Sequence, residues 1–402
     1  MNALSLRPAI SRRIPAFTAC SALGQGRDAH FAALRERRSG LRPNDFTETP
    51  IATWIGRVDV LEEGALPGRL SEWECRNNRL AWLALQGDGF IEAALQARDR
   101  HGPGRIALVL GTSTSSIGAS EEAYRRLTPE GLYPEDLRRP IVHTPHSLGD
   151  FVQHALGLEG ICVTVATACS SSAKVFAQAE RLLRTGLADA AIVGGVDTLC
   201  GSVLFGFNSL ELVSSEPCRP FDVERQGISL GEAGGFALLE RDAETGPWLL
   251  GYGESSDAHH MSSPHPEGLG ARLALEDALA RAGLGAAQVD YVNLHGTASV
   301  RNDEVEARLL ASLFPAHTRA SSTKGWTGHT LGAAGIVEVV LTLLSMEHGL
   351  APGTLNARRL DEACGPQIRL DNEATPIHYA LSQSFGFGGS NCVLAFGGEL
   401  PA

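Results

Sequence analysis

Residues 164–174 read TVATACSSSAK, an apolar run that leads into a cysteine, three serines and a small-residue segment. The apolar run over 161–167 predicts a buried strand, and the apolar residues that follow it at helical spacing predict a helix that ends at Gly186. RIALVL at 105–110 and AAIVG at 190–194 predict neighbouring buried strands. Strand, helix and strand in this order form the unit of a parallel sheet, so the stretch predicts an α/β fold.

The second half of the chain shows the same alternation of predicted strands and helices. Helices are predicted over 273–282, 303–314 and 333–348, and strands over 290–294 and 391–396. A polar, glycine-bearing stretch at 245–253 is interpreted as the connection between the halves. The pattern predicts mixed sheets covered by helices on both faces.

Composition narrows the possible functions. The 402 residues carry a net charge of −12, which argues against nucleic-acid binding. No pair among the eight cysteines has the CxxC spacing of zinc or redox sites. The first 15 residues lack the apolar stretch of a signal peptide, and the apolar segment 333–346 is interrupted by Glu338 and too short to cross a bilayer. A reduced, soluble, cytoplasmic protein that binds neither membrane nor metal is expected.

Cys169 is the strongest candidate for chemistry. It stands between the predicted strand and the predicted helix, where a sharp turn exposes a side chain at the end of a sheet. The N–H groups of the helix start are expected to favour the thiolate over the thiol. A lone cysteine is more often a buried structural residue than a nucleophile. A catalytic role for Cys169 therefore requires other catalytic side chains near it.

Two histidines lie in segments of small residues. His295 opens HGTASVRND after a predicted strand, and His329 lies within STKGWTGHTLGAAGIVE at 322–338, before a predicted helix. Glycine-rich SFGFGGSN follows at 384–391. A histidine in a glycine-rich loop is often only a satisfied polar residue, so neither histidine identifies a site alone.

Together these segments resemble the thiolase-fold β-ketoacyl-(acyl carrier protein) synthases of the elongating type. The resemblance covers nearly the whole chain through TACSSS, RPFDVERQGISLGEAGG at 219–235, HGTxxxxND, KxxxGHTLGAAGxxE and GFGGSN. It implies a thiolase-like fold of two similar halves, with the nucleophilic cysteine in 1–245 and the two histidines in 246–402. It also implies an acyltransferase that joins an acyl chain to malonyl-carrier protein with loss of carbon dioxide, and thereby extends the chain by two carbons.

The resemblance also implies a role for each matched residue. Cys169 would hold the acyl chain, and its N–H and that of Phe387 would form an oxyanion hole. His295 and His329 would donate hydrogen bonds to the malonyl thioester carbonyl, with Lys324 buried beside them and paired with Glu338. Substrate-binding roles are implied for Thr297, Ser299, Phe207 and Phe387.

Partners and cofactors follow from the same resemblance. No permanently bound cofactor is expected, since substrates would arrive on the phosphopantetheine arm of an acyl carrier protein. A dimer is expected, either a homodimer or a pair with a chain-length-factor-like subunit. Arg76, Arg79, Arg138 and Arg139 could form basic docking spots or be ordinary solvated arginines.

The chain departs from the family pattern at two places, and three alternatives remain. HGTAS replaces the usual HGTGT or HGTST, and IPAFTACSALGQG lacks two glycines of the usual N-terminal turn. These departures favour a divergent branch, such as the ketosynthases of aryl-polyene-type pigment clusters. A coenzyme A thiolase would need a second reactive cysteine, for which Cys392 is the candidate. A non-catalytic chain-length factor would lack the nucleophile, and a starter-type synthase would lack the second histidine.

Overall fold

A computed structural model describes residues 11–401 of the chain. The prediction that no signal peptide is present rests mostly on residues 1–10, which lie outside the described residues. The helices are α1 Arg27–Glu36, α2 Arg76–Leu85, α3 Phe90–His101, α4 Ile117–Arg125, α5 Ser147–Leu156, α6 Ser171–Arg184, α7 Gly201–Ser209, α8 Leu269–Ala282, α9 Val300–Leu313, α10 Lys324–Thr327 and α11 Ala334–His348.

Sixteen strands are present among the described residues. They are β1 Arg12–Ser21, β2 Gly24–Gln25, β3 Leu41–Pro43, β4 Trp54–Gly56, β5 Ile106–Gly111, β6 Cys162–Val165, β7 Ala190–Asp197, β8 Leu230–Gly231, β9 Ala233–Glu240, β10 Trp248–Ser256, β11 Tyr291–Asn293, β12 Arg319–Ser321, β13 Leu350–Ala351, β14 Glu373–Ala374, β15 Tyr379–Gly386 and β16 Ser390–Gly397.

The main sheet consists of two five-stranded groups with the same pattern. The first runs β6-β5-β7-β9-β1 and the second β12-β11-β15-β16-β10, and each has three parallel strands followed by two antiparallel ones. A short β1–β10 ladder at Arg12 and Arg13 joins the groups. The first group comes from residues before 246 and the second from residues after it. The α/β class with two similar halves is therefore confirmed, while the domain boundary at 245/246 stays a prediction.

Helices α6 and α11 lie between the two strand groups. Phe176 of α6 and Ile336 of α11 belong to one buried cluster with Val109 of β5 and Leu394 of β16, so this cluster draws on both halves. Outer helices cover the remaining faces, with Leu80 of α2 and Phe151 of α5 on one half. Leu275 of α8 and Leu310 of α9 cover the other half. The sheets are thus layered between helices, as predicted.

The segment Leu331–His348 is the one candidate among the described residues for a membrane-crossing helix. The helical segment has 18 residues and a mean hydropathy of 1.4. It is therefore long and apolar enough to cross a bilayer, and the expectation that it is too short was wrong. However, 83% of the segment is buried inside the protein. Since a helix that is apolar on all sides fits the centre of a layered core, we assign it as a core helix.

The stretch 245–253 is largely not a linker, which corrects the sequence interpretation. Most of it forms β10, an interior strand of the sheet that pairs with β16 and β1. Its glycines allow helix α8 to approach closely: a Cβ at Gly251 would lie 2.5 Å from the Ala278 carbonyl oxygen, and one at Gly253 would collide with the Ala274 carbonyl. Glycine marks close packing here rather than flexibility.

Candidate active site

Cys169 lies in the predicted turn between β6 and α6. Ala168 immediately before it has φ 52°, a left-handed conformation that is uncommon outside glycine and typical of strained functional turns. The side chain of Cys169 is 5% exposed. The cysteine thus lies in a sharp turn after a strand, as predicted, but β6 is half-buried rather than buried.

The predicted charge state of the thiol is wrong. Burial raises the pKa of Cys169 to about 11, although the Lys324 ammonium and the Phe387 N–H both act in the opposite direction. The helix start was expected to favour the thiolate, but the cost of removing an anion from water is larger at this depth. The resting group is a thiol, so its reaction as a nucleophile requires a base.

His329 lies directly against that thiol. Its Nε2 is 3.0 Å from the Cys169 Sγ, and its Nδ1 has no hydrogen-bond partner among the described residues. The backbone of His329 is held on both sides, because its N–H donates to the Ser229 carbonyl and its carbonyl accepts from the Gly231 N–H. Burial and the Lys324 charge lower the pKa of His329 well below its usual value. A neutral imidazole therefore faces a neutral thiol.

His295 follows β11 and faces the same space. Its ring centroid is 5.5 Å from that of His329, with the ring planes nearly perpendicular at 87°. Burial, Lys324 and His329 all lower the pKa of His295. The two histidines, 34 positions apart in the chain, thus meet as neutral imidazoles beside Cys169, as the sequence predicted.

Lys324 lies behind the histidines, 1% exposed. Its ammonium donates to the Glu338 Oε1 and to the His295 carbonyl oxygen, and its Nζ is 3.4 Å from the His295 Nδ1. Burial raises the pKa of Glu338 and the neighbouring ammonium opposes that shift. The predicted ion pair is present, and it fixes a positive charge beside one nitrogen of His295.

One cavity of about 390 Å³ connects these groups. Seven of the predicted residues line it, namely Cys169, His295, His329, Thr297, Ser299, Phe207 and Phe387. The rings of Phe207 and Phe387 lie 5.6 Å apart, and the Thr297 and Ser299 hydroxyls are 2.8 Å apart. Lys324 and Glu338 do not line the cavity, so they can act only through the residues in front of them.

Two backbone N–H groups at the cavity have no oxygen partner. Within residues 11–401, neither the Cys169 N–H nor the Phe387 N–H donates to a backbone carbonyl or a side-chain oxygen. The Phe387 N–H instead points at the Cys169 sulfur, where it lowers the pKa of the thiol. Because neither N–H donates to an oxygen of the protein, this pair is available to bind a developing oxyanion.

Glu306 is a further residue of the site that was not predicted from the sequence. This buried carboxylate lines the cavity and accepts hydrogen bonds of 2.7 Å from the N–H groups of His295 and Gly296. Burial raises its pKa to about 8. Its position three residues after Asp303, on the buried face of α9, is the signal that could have identified it.

The proposed docking arginines are mostly engaged elsewhere. Arg76 pairs with Glu232 and Glu62, and Arg79 pairs with Glu74. Arg139 donates to the Glu74 carbonyl oxygen. The alternative interpretation of these side chains as structural or solvated arginines is therefore favoured.

Cys392, the candidate second cysteine of a thiolase, is not in the cavity. It lies in β16 with no exposed surface and belongs to the central core cluster. Burial raises its pKa, so it stays a neutral thiol that cannot accept a proton. Among the described residues no group of three or more His, Cys, Asp or Glu side chains could hold a metal ion.

Comparisons with known proteins give one family for this chain. Residues 73–245 match the family model described as the β-ketoacyl synthase N-terminal domain, and residues 248–358 match the β-ketoacyl synthase C-terminal domain. Nodulation protein E of Rhizobium sp. (strain N33) is 31% identical over 93% of this chain and 96% of its own. The 3-oxoacyl-[acyl-carrier-protein] synthase 2 of Vibrio cholerae is 32% identical over 82% of this chain and 87% of its own.

A solved structure supports the same grouping. It contains the ketosynthase ApeO in complex with its chain length factor ApeC from Xenorhabdus doucetiae, and it matches with 38% identity and a TM-score of 0.87. The match covers 96% of this chain and 98% of that one.

Proposed function

Because the chain belongs to the β-ketoacyl synthase family, we propose that Cys169, His295 and His329 carry out its condensation chemistry. The chain is a 3-oxoacyl-[acyl-carrier-protein] synthase, an acyltransferase that condenses an acyl chain with malonyl-carrier protein. The observation that carries the residue assignment is the 3.0 Å approach of the His329 Nε2 to the Cys169 Sγ within the shared cavity.

Acyl transfer begins at the Cys169 thiol. As the sulfur attacks the acyl thioester, His329 takes its proton at Nε2 and then returns it to the departing phosphopantetheine thiolate. This proposed role differs from the expectation that His329 donates a hydrogen bond to the malonyl carbonyl. One thioester bond forms, one breaks, and the imidazole ends neutral. The lowered pKa keeps the imidazole of His329 neutral and able to accept a proton, and it favours return of that proton to the leaving thiolate.

The tautomer of His295 is set by Lys324. An ammonium can only donate, so the His295 Nδ1 beside it accepts and the ring proton resides on Nε2. This N–H donates to the malonyl thioester carbonyl within the cavity. When the C–C bond to the carboxylate breaks, its electron pair passes into an enolate, and the N–H stabilises the negative oxygen.

The enolate carbon then attacks the acyl group on Cys169. The tetrahedral oxyanion is held by the N–H groups of Cys169 and Phe387. Collapse expels the cysteine as a thiolate, which takes up a proton from water to restore the thiol, and leaves a β-ketoacyl chain, two carbons longer, on the carrier protein. The neighbouring rings of Phe207 and Phe387 form the cavity wall beside the acyl-cysteine.

We also propose that the phosphopantetheine arm enters along the first turn of α9. Arg301 lines the cavity, is exposed, and has no ion-pair partner among residues 11–401. The Thr297 and Ser299 hydroxyls lie between it and His295 in the sequence and line the same cavity. An arginine at the cavity entrance can form an ion pair with the phosphate of the arm, and the two hydroxyls can form hydrogen bonds with its amide groups. No permanently bound cofactor is needed for this chemistry.

A dimer through β6 is proposed. This strand is the edge of the main sheet, pairs only with β5 among the described strands, and is half-buried along its length. Ile161, the residue before this strand, is 37% exposed. An apolar unpaired edge strand favours pairing with another chain.

The second subunit is proposed to be a chain-length-factor-like protein rather than an identical copy. The match to ApeO, which is solved in complex with its chain length factor, supports this choice. Analytical ultracentrifugation of the purified chain, alone and with a candidate partner, tests it. A stable homodimer that does not bind the candidate partner contradicts the proposed heterodimer. It remains consistent with an interface at the β6 edge strand.

The pathway and location are also proposals. The HGTAS departure supports an aryl-polyene-type branch, and eight free cysteines suit the reducing cytoplasm. The chemistry is tested by incubating the protein with acyl- and malonyl-carrier proteins. Equal amounts of carbon dioxide and β-ketoacyl-carrier protein are expected, and saturated and polyenoic acyl chains should be compared. Preference for saturated chains contradicts the pigment branch without affecting the condensation chemistry.

A further inference from the structure

A buried carboxylate next to the active site has no place in the mechanism above. Asp197, the last residue of β7, has no exposed surface and does not line the cavity. It accepts hydrogen bonds of 2.6 and 2.7 Å from the hydroxyls of Thr112 and Thr114, and others from the N–H and hydroxyl of Ser113. Every one of these groups lies in the loop after β5.

The same carboxylate also holds the turn that carries His329. The Gly332 N–H donates to the Asp197 Oδ2 at 2.6 Å, and the Ser113 Oγ lies 3.2 Å from that N–H. Gly332 is three residues after His329. Asp197 is therefore the point at which the ends of β5 and β7 are joined to the catalytic turn.

The catalytic turn needs such an anchor because its backbone is strained. Leu331 has φ 58°, a left-handed conformation that is unfavourable for a leucine. The packing at the anchor is also tight, since a Cβ at Gly332 would lie 2.6 Å from both the Asp197 Oδ2 and the Ser113 N. Without the anchor, Leu331 can relax and shift the backbone next to the imidazole.

We propose that Asp197 is a positioning residue that keeps the His329 Nε2 against the Cys169 Sγ by anchoring the turn at Gly332. All the groups that contact the carboxyl oxygens are donors, so an aspartate side chain fits this position. The residue positions His329 and touches neither substrate nor nucleophile, although its negative charge also raises the pKa of Cys169. This inference depends on the condensation chemistry and is independent of the pathway or the dimer partner.

The experiment compares Asp197→Asn with a matched control, Glu180→Gln. Asn keeps the shape of Asp, but its amide NH₂ group replaces one acceptor oxygen and faces hydrogen-bond donors. Glu180 is equally buried and accepts from Arg12 and Tyr252, away from the histidine turns. For each variant, Tm, kcat and KM for malonyl-carrier protein, and the rate of Cys169 alkylation by iodoacetamide are measured.

The expected result separates positioning from general stability. A displacement of about 1 Å in a catalytic group can cost about 10²-fold in rate, so Asp197→Asn should lower kcat about 10- to 100-fold and leave KM within about two-fold. Alkylation of Cys169 at pH about 7 should slow with kcat. Glu180→Gln should lower Tm and leave both rates unchanged. If Asp197→Asn keeps kcat, or if both variants lose kcat in proportion to Tm, the proposal is overturned.

A second pair of variants keeps the test decisive if Asp197→Asn does not fold. Ser113→Ala removes one hydrogen-bond donor to the Asp197 carboxylate. Gly332→Ala leaves Asp197 in place and adds a Cβ that collides with the carboxylate. Both should lower kcat at nearly constant KM, with Gly332→Ala the larger effect. Unchanged kcat in these two folded variants would overturn the proposal.

Discussion

Replacing His329 with alanine tests how a buried thiol becomes a nucleophile. With the pKa of Cys169 raised to about 11, only about 3 molecules in 10⁴ carry a thiolate at pH about 7.5, against about 10% for an ordinary thiol of pKa about 8.5. The higher basicity of the anion recovers about ten-fold of this loss in nucleophilicity. An unassisted Cys169 is thus about 30-fold less reactive than an exposed cysteine.

The base at 3.0 Å offsets this deficit in the native protein. General-base assistance contributes about 10²- to 10⁴-fold, so His329→Ala should slow acyl transfer to Cys169 by about 10²-fold or more. The pH dependence should change as well. Because the pKa of His329 is lowered, its neutral form persists from mildly acidic pH upward, and the native rate should vary little near neutrality. The variant should depend on free thiolate and accelerate about ten-fold per pH unit up to pH about 10.

The assay is alkylation of Cys169 by iodoacetamide at several pH values, followed by peptide mass spectrometry. His295→Ala is the matched control, because its ring lines the cavity and has no hydrogen bond to the sulfur. This control should keep the alkylation rate within about three-fold while losing malonyl decarboxylation. If His329→Ala is alkylated as fast as the native protein, with a plateau above neutral pH, the thiolate is preformed and the base role is refuted.

The remaining predictions address the other parts of the site. Cys169→Ala should abolish condensation and retain malonyl decarboxylation, measured as acetyl-carrier protein by mass spectrometry; retained condensation would identify another nucleophile. Lys324→Met should leave the Glu338 carboxyl unpaired, lower the free energy of unfolding in urea by about 3–5 kcal/mol and slow decarboxylation about 10²-fold, and an unchanged variant would contradict the ion pair. Arg301→Ala should raise KM for malonyl-carrier protein about ten-fold at constant kcat, while Arg308→Ala on the same helix, already paired with a glutamate, should not; equal effects would remove the phosphate assignment.

Much of the fold could be predicted from apolar runs of fixed period. The strands β5 and β7 and the helix α6 lie within a few residues of their predicted bounds because each is buried and bounded by small residues. β10 could not be predicted in this way. Its alternating glycines resemble a linker in sequence, and their purpose appears only when α8 is packed against them.

The site was predictable where residue type limits the chemistry. A cysteine at a turn and two histidines in small-residue loops carry that signal in the sequence. The charge state of Cys169 does not, because it depends on the balance between burial and the nearby charge of Lys324. Asp197 was also missed, since a single aspartate at a strand end gives no indication of the donors that gather around it from another loop.

The central claim is that Cys169 carries the growing chain, and peptide mass spectrometry tests it directly. The protein is incubated with an acyl-carrier protein, digested, and mapped before and after addition of malonyl-carrier protein. We predict an acyl adduct on the Cys169 peptide that disappears as β-ketoacyl-carrier protein forms. An adduct on any other cysteine, or one on Cys169 that persists while product accumulates, would contradict the account.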